Sequence, residues 1–199
     1  MTSKDRFTTP YKVFLGQLCR PFAYLAIRHE HKKIMDWFFP GILVGLSAIV
    51  LLTWGEKINL YGSSGVLSKI LSFIQNLPGF YIAALAAIAT FGRSDIDSII
   101  PAPTPLITEF RGGEEQEVAL TRRRFLSMMF AFLTAECVII ILGSIGLLTL
   151  AGDLDKSSIP YASTIGAAAF LLIMLFFFQM ILTTFWGLYY LGDKIHKVD

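Results

Sequence analysis

Charge is scarce in this chain of 199 residues: Asp, Glu, Lys and Arg make up 16% of it, where a soluble domain carries about 25%. With hydrophobic residues at 54%, there is too little charge to give every helix a solvated face. Cysteine is nearly absent. Cys19 and Cys137 are far apart in the chain, which excludes a disulfide framework and a CxxC redox pair. No HExxH, Gly-x-Ser-x-Gly, Walker loop or Cys/His ligand cluster occurs, so zinc, serine-nucleophile and nucleotide chemistry have no motif to rest on. The chain is expected to be a non-enzyme with no cofactor and no metal site. A secretory signal is missing too: Met1 to Pro10 is polar, and targeting is expected to come from the first apolar span.

The sequence does have long apolar runs. Arg122, Arg123 and Arg124 stand directly before Phe125 to Leu150, whose only formal charge is Glu136. A soluble amphipathic helix would show a polar face every few residues, so this run reads as a transmembrane helix. Three more runs have the same character. One covers 34–54 between Trp37 and Trp54, one covers 70–91 around Pro78-Gly79, and one covers 163–191, ending on Trp186, Tyr189 and Tyr190. The runs are continuous and not alternating, which favours helices over a barrel. The predicted fold is all-α: an integral membrane protein with four transmembrane helices and an N-terminal amphipathic cytoplasmic segment. Pro78 is expected to kink or break the second span.

Cations set the orientation. Segment 1–33 carries seven Lys and Arg, loop 92–124 five and tail 192–199 two, against three in the two remaining loops. Positive residues near a span stay on the cytoplasmic side, so both termini are predicted there, with Arg122, Arg123 and Arg124 as topology anchors and not a nucleic-acid site. In segment 1–33, Tyr11, Phe14, Leu15 and Leu18 recur at helical spacing. They predict an amphipathic helix lying either on the lipid surface or on the protein's own inner face. His29 and His31 point to different sides of a helix, which disfavours a metal site.

Loop 92–124 contains Pro101, Pro103 and Pro105, read as an extended, stiff connection. After Gly112-Gly113 the pattern reads as the start of a helix, with Glu114, Glu115 and Glu117 favouring its positive end. With Arg111, these residues are the candidate surface for docking a cytoplasmic partner. Gly41 and Gly45 form a GxxxG pair, and with Gly143 they are candidate helix-packing positions.

Glu136 is the main suspect for function. It lies twelve residues beyond Arg124, roughly 18 Å along the axis, so near the bilayer midplane. A charge there costs several kcal/mol unless it is paired. Gln179, with Thr183 one turn on, is expected at a similar depth on the antiparallel fourth span. Glu136 is then a neutral group bonded to Gln179 or to another subunit, a proton or cation relay or trigger, or a lipid-facing or water-exposed residue of no special role.

The plan of four spans, cytoplasmic termini and short outer loops, with a middle loop running through Glu114-Glu115-Gln116-Glu117 into Arg122-Arg123-Arg124-Phe125, resembles the membrane subunit (KwaA) of Kiwa-type bacterial anti-phage defence systems. The resemblance covers the whole chain but rests on layout and not on a short motif. It implies a tetrameric homo-oligomer in the bacterial inner membrane, in contact with membrane lipids. Such a protein senses envelope perturbation on infection and recruits or controls a cytoplasmic DNA-binding effector, KwaB, without binding nucleic acid itself. The alternative is a small oligomeric ion channel or transporter with Glu136 and Gln179 lining the path. A lipid-modifying membrane enzyme ranks last, because no catalytic constellation is visible.

Overall fold

The computed structural model describes residues 10–90, 92, 94–154 and 162–191. The predicted cytoplasmic tail 192–199, with Lys194 and Lys197, lies outside the described residues, as do the first nine residues and Lys156. Four helices are long and apolar enough to cross a membrane, over Ile34–Trp54, Val66–Thr90, Arg122–Leu150 and Ser163–Tyr189.

The chain enters through α1 (Pro10–Leu18) and a 3-10 segment, Arg20–Ala26. A π-helical turn, Ile34–Phe38, then leads into α2 (Phe39–Trp54). The second span is broken. Its first part, α3 (Val66–Ile74), stops at Gln75-Asn76, and α4 (Leu77–Thr90) resumes with Pro78 as its second residue. A proline there lacks only an N–H that would have no intrahelical partner anyway. The third span is α5 (Arg122–Leu154), 33 residues and about 50 Å long. The fourth is α6 (Ala162–Tyr189).

In space the order is α4, α5, α6, α2, with α5 between α4 and α6 and α2 on the far side of α6. The N-terminal half of α5 is wrapped by protein, and no residue from Arg122 to Cys137 is exposed. Phe125, Leu126, Met129, Phe130, Phe132 and Leu133 form the core there, together with Tyr24 and Met180. From Val138 onward one face of the helix is bare, exposing Ile139, Leu142 and Ile145, while Ile140, Ser144 and Leu147 on the other stay buried. On α2 the apolar face is barer still: Ile42, Leu46 and Ile49 are exposed, and Leu52 is 88% exposed. Soluble monomers seldom carry contiguous apolar surface on this scale.

Two close approaches fix the packing. Gly187 lies against Met129 and Phe130, so a Cβ there would collide with the Met129 methyl. Tyr81 of α4 shares a hydrogen bond of 2.6 Å with Thr184 of α6. Among the described residues, Gly41, Gly45 and Gly143 have nothing within 4 Å of an added Cβ.

The all-α expectation is corrected by the segment before α5. Strands β1 (Leu106–Arg111) and β2 (Glu114–Ala119) form an antiparallel hairpin that pairs Ile107 with Val118 and Arg111 with Glu114. Gly112 and Gly113 have φ of +65° and +94°. Positive φ at both central positions belongs to a two-residue turn whose twist matches the strands. Glu114, Glu115 and Glu117 therefore belong to a strand and not to the first turn of a helix, and α5 begins at Arg122. Nor is the proline-rich stretch a free connection. Leu106 exchanges two backbone hydrogen bonds with Arg28, at 2.8 and 3.0 Å, and Ile100 N–H donates to the Leu120 carbonyl at 3.2 Å.

Candidate functional site

The N-terminal segment supplies the site's least expected residues. In the 3-10 turn, Pro21 lies near the start and Tyr24 is carried inward against α5. The Tyr24 ring stacks on Phe132 with centroids 5.0 Å apart, and Phe125 lies 6.4 Å away. A few residues on, the π turn brings Asp36 inside. The Phe39 N–H reaches the Ile34 carbonyl, a five-residue step that widens the helix at this point. Asp36 is fully buried and Lys32 nearly so.

These three residues form one assembly. Lys32 Nζ donates to Asp36 Oδ2 at 2.5 Å, and the Tyr24 hydroxyl donates to Asp36 Oδ1 at 3.2 Å. The Lys32 ammonium also lies 4.3 Å above the Tyr24 ring centre, within cation–π range. Burial, reinforced by the Asp36 carboxylate, pushes the Tyr24 hydroxyl far above its ordinary range and keeps it protonated. Both carboxylate oxygens of Asp36 thus have a donor, which a buried charge requires.

Deeper in, the predicted polar residues do lie inside the bundle. Glu136, Gln179 and Thr183 are each at most 3% exposed. Thr183 and Glu136 lie beside Tyr24, within electrostatic reach of its hydroxyl. Gln179 is one turn from Thr183 on the same face of α6. The expected hydrogen bond from Gln179 to Glu136 is not made, however. Among the described residues, both Glu136 oxygens, Gln179 Nε2, Thr183 Oγ1 and Ser144 Oγ have no hydrogen-bond partner of normal geometry. Placement at equal depth brought these side chains to one region without joining them.

The arginine triplet does more than mark an end. Arg123 forks onto Asp97, Arg124 pairs with Glu109 of β1, and Arg28 pairs with Glu117 of β2 at 2.9 Å. Hydrogen bonding from Arg123 holds the Asp97 carboxyl below the usual aspartate range. The hairpin is therefore clamped to the helix that carries Glu136. Of the expected docking residues, Glu114 and Glu115 face outward and Glu117 is occupied by Arg28. Phe110, 73% exposed, joins them at the hairpin tip.

Sequence reasoning missed Tyr24, Lys32 and Asp36. The available signal was the four-residue spacing of Lys32 and Asp36, which places opposite charges on one helix face. Trp186, near the end of the fourth apolar run, packs on Phe125 and His29, with ring centres 5.5 and 5.8 Å away.

Fold and site together define a mostly helical chain with four apolar helices of membrane-crossing length, a buried polar cluster and a clamped hairpin. Compared with known protein families, curated proteins and solved structures, the chain matches none of them.

Proposed function

We propose that this protein is an oligomeric sensor and scaffold of the bacterial inner membrane, with both termini and the hairpin in the cytoplasm. Its role is to register envelope perturbation and to recruit or control a soluble effector. The observation that carries this reading is the clamp. Three charge pairs, Arg28–Glu117, Arg124–Glu109 and Arg123–Asp97, tie the hairpin region to the bundle, so a partner held at the hairpin moves with α5. Each pair is worth little alone at an exposed site, but two of them on the sheet and one on the loop before it together restrict its orientation. The outward Glu114, Glu115 and Phe110 offer a partner an acidic rim around an aromatic anchor.

The defence setting, the DNA-binding character of the effector and the tetrameric assembly come from the Kiwa resemblance. Exposed apolar residues along α2 and the outer half of α5 support the membrane and oligomer parts of the reading. Exposed Phe14, Leu15 and Leu18 on α1 fit a helix lying on the lipid surface. The test is co-purification from the native host with Glu114→Lys and Glu115→Lys together, which leaves all three clamps intact. Loss of the effector with normal membrane insertion is expected; unchanged recovery would remove the hairpin from the docking role.

A second reading, a small channel or transporter, is favoured by one observation: Glu136, Gln179 and Thr183 are buried with polar atoms that make no hydrogen bond of normal geometry among the described residues. It predicts ion flux in liposomes that Glu136→Gln alters, and liposomes that stay impermeable under all conditions would exclude it.

A further inference from the structure

The buried polar cluster is not sealed off. A cleft of about 840 Å³ opens beside the start of the first span, and Lys32 and Asp36 line it together with Lys33, Trp37 and Thr104. Lys32 and Asp36 are nonetheless 5% and 0% exposed, so they form the floor of the cleft and the roof of what lies below. Immediately beneath is the Tyr24 hydroxyl, 3.2 Å from Asp36. Beyond Tyr24 come Thr183 and Glu136, both within electrostatic reach of its hydroxyl, and among the described residues neither has a hydrogen-bond partner of normal geometry. A carboxyl, a phenol, a hydroxyl and a second carboxyl are thus gathered in one buried region reached from the cleft. Around them the lining is apolar, with Phe125, Phe132 and Met180 in the same core.

We propose that the cleft, the Lys32–Asp36 pair and Tyr24 form a one-sided access path that delivers protons to Glu136 from the face carrying the hairpin. A proton from water in the cleft joins the Asp36 carboxylate, loosening its bond to the Lys32 ammonium. Tyr24 takes that proton as it passes its own hydroxyl proton inward, and rotation of the Tyr24 and Thr183 hydroxyls hands it to the Glu136 carboxylate. One positive charge leaves the cleft and one negative charge in the bundle is neutralised, with no other reactant. The titratable groups within electrostatic reach of Glu136 are Tyr24 and Asp36 from the N-terminal segment, Tyr81 from α4 and Cys137 on its own helix, while Thr183 of α6 lies against Tyr24 and Gln179 of α6 is buried one turn away from Thr183. Lys32 is the cation that sets the resting state, because its bond to Asp36 must loosen before a proton can enter.

The path rests on the reading of Glu136 as a titrating group in a membrane-spanning bundle; it does not require ions to cross. The full chain, reconstituted in one orientation into sealed phosphatidylcholine–phosphatidylglycerol vesicles, is treated with dicyclohexylcarbodiimide. This reagent labels protonated carboxyls in apolar surroundings, and the pH on the two faces is set separately. Mass spectrometry of the Glu136 peptide reads the labelling. Labelling is expected to follow the pH of the hairpin face and to ignore the other. Tyr24→Phe, which keeps the ring on Phe132, is expected to slow the response by at least roughly tenfold. Asp36→Asn paired with Lys32→Met, which leaves no unpaired charge, is expected to slow it similarly. Labelling that follows the opposite face, or that neither variant slows, overturns the path alone. No labelling of Glu136 at any pH overturns the path together with the titrating role.

Discussion

Arg123 holds Asp97 through two nitrogens, Nε to Oδ1 at 2.6 Å and Nη2 to Oδ2 at 2.9 Å, while its Nη1 reaches the Ile88 carbonyl at 2.5 Å. One planar guanidinium therefore joins the start of α5, the loop before the hairpin and the last turn of α4. Lysine has the charge but not the fork. Arg123→Lys is expected to leave insertion intact and loosen 94–100, read as a several-fold rise in amide exchange at Ser98 and Ile100. Unchanged exchange would show that the fork is dispensable.

The same tie has a defined acid limit. Because the Asp97 carboxyl titrates below its usual value in the fold, the tie is intact above the ordinary aspartate range and fails only as pH falls through the depressed value. Proteolysis of the loop around Asp97 should therefore stay slow at mildly acidic pH and accelerate only in stronger acid. Asp97→Asn should remove that transition.

The buried pair of Lys32 and Asp36, with side chains 7% and 0% exposed, makes an asymmetric prediction. Removing one partner leaves a buried charge alone, at a cost of about 3–5 kcal/mol. Lys32→Met or Asp36→Leu alone is expected to lower the unfolding temperature sharply. The double substitution should recover most of that loss, because the desolvation penalty disappears with both charges. Additive single effects would contradict the pairing.

Much of this architecture is legible from composition alone. Spans of twenty or more apolar residues bounded by tryptophan or arginine can be placed because the bilayer constraint is one-dimensional. The hairpin was not read because Glu114-Glu115-Gln116-Glu117 has a helix-favouring composition. The deciding signal was Gly112-Gly113 between Leu106-Ile107 and Val118-Ala119, where a tight turn outweighs propensity. Glu136, Gln179 and Thr183 stood out as polar residues in apolar runs. Tyr24 and Asp36 did not, since nothing in the local pattern tells that the N-terminal segment folds against α5, and a carboxylate at the third residue of a span looks like an interfacial one. The pairing is tertiary, and tertiary contacts are what a single sequence hides best.

Gly187 marks a position where side-chain volume decides. A Cβ there meets the Met129 methyl, the mobile end of a long side chain. Gly187→Leu is expected to destabilise by about 1–3 kcal/mol through overpacking, and Met129→Ala in the same chain should restore part of it. Failure of the second change to help would place the strain elsewhere.

At the hairpin tip, an L side chain at Gly112 or Gly113 must adopt positive φ, a strain of about 1–2 kcal/mol for most residues. Gly113→Val should raise amide exchange across Leu106–Ala119, whereas Gly112→Asn should be tolerated. Equal exchange in both variants would count against a strained turn.

The most direct test of the whole account asks on which side of the membrane the hairpin lies. In a Cys19→Ser background, Cys137 is buried, and Gln116→Cys places a single exposed thiol on β2. A membrane-impermeant maleimide is expected to leave intact cells unlabelled and to label inside-out membrane vesicles fully. Labelling of intact cells would put the hairpin outside and contradict the scaffold and its partner surface together.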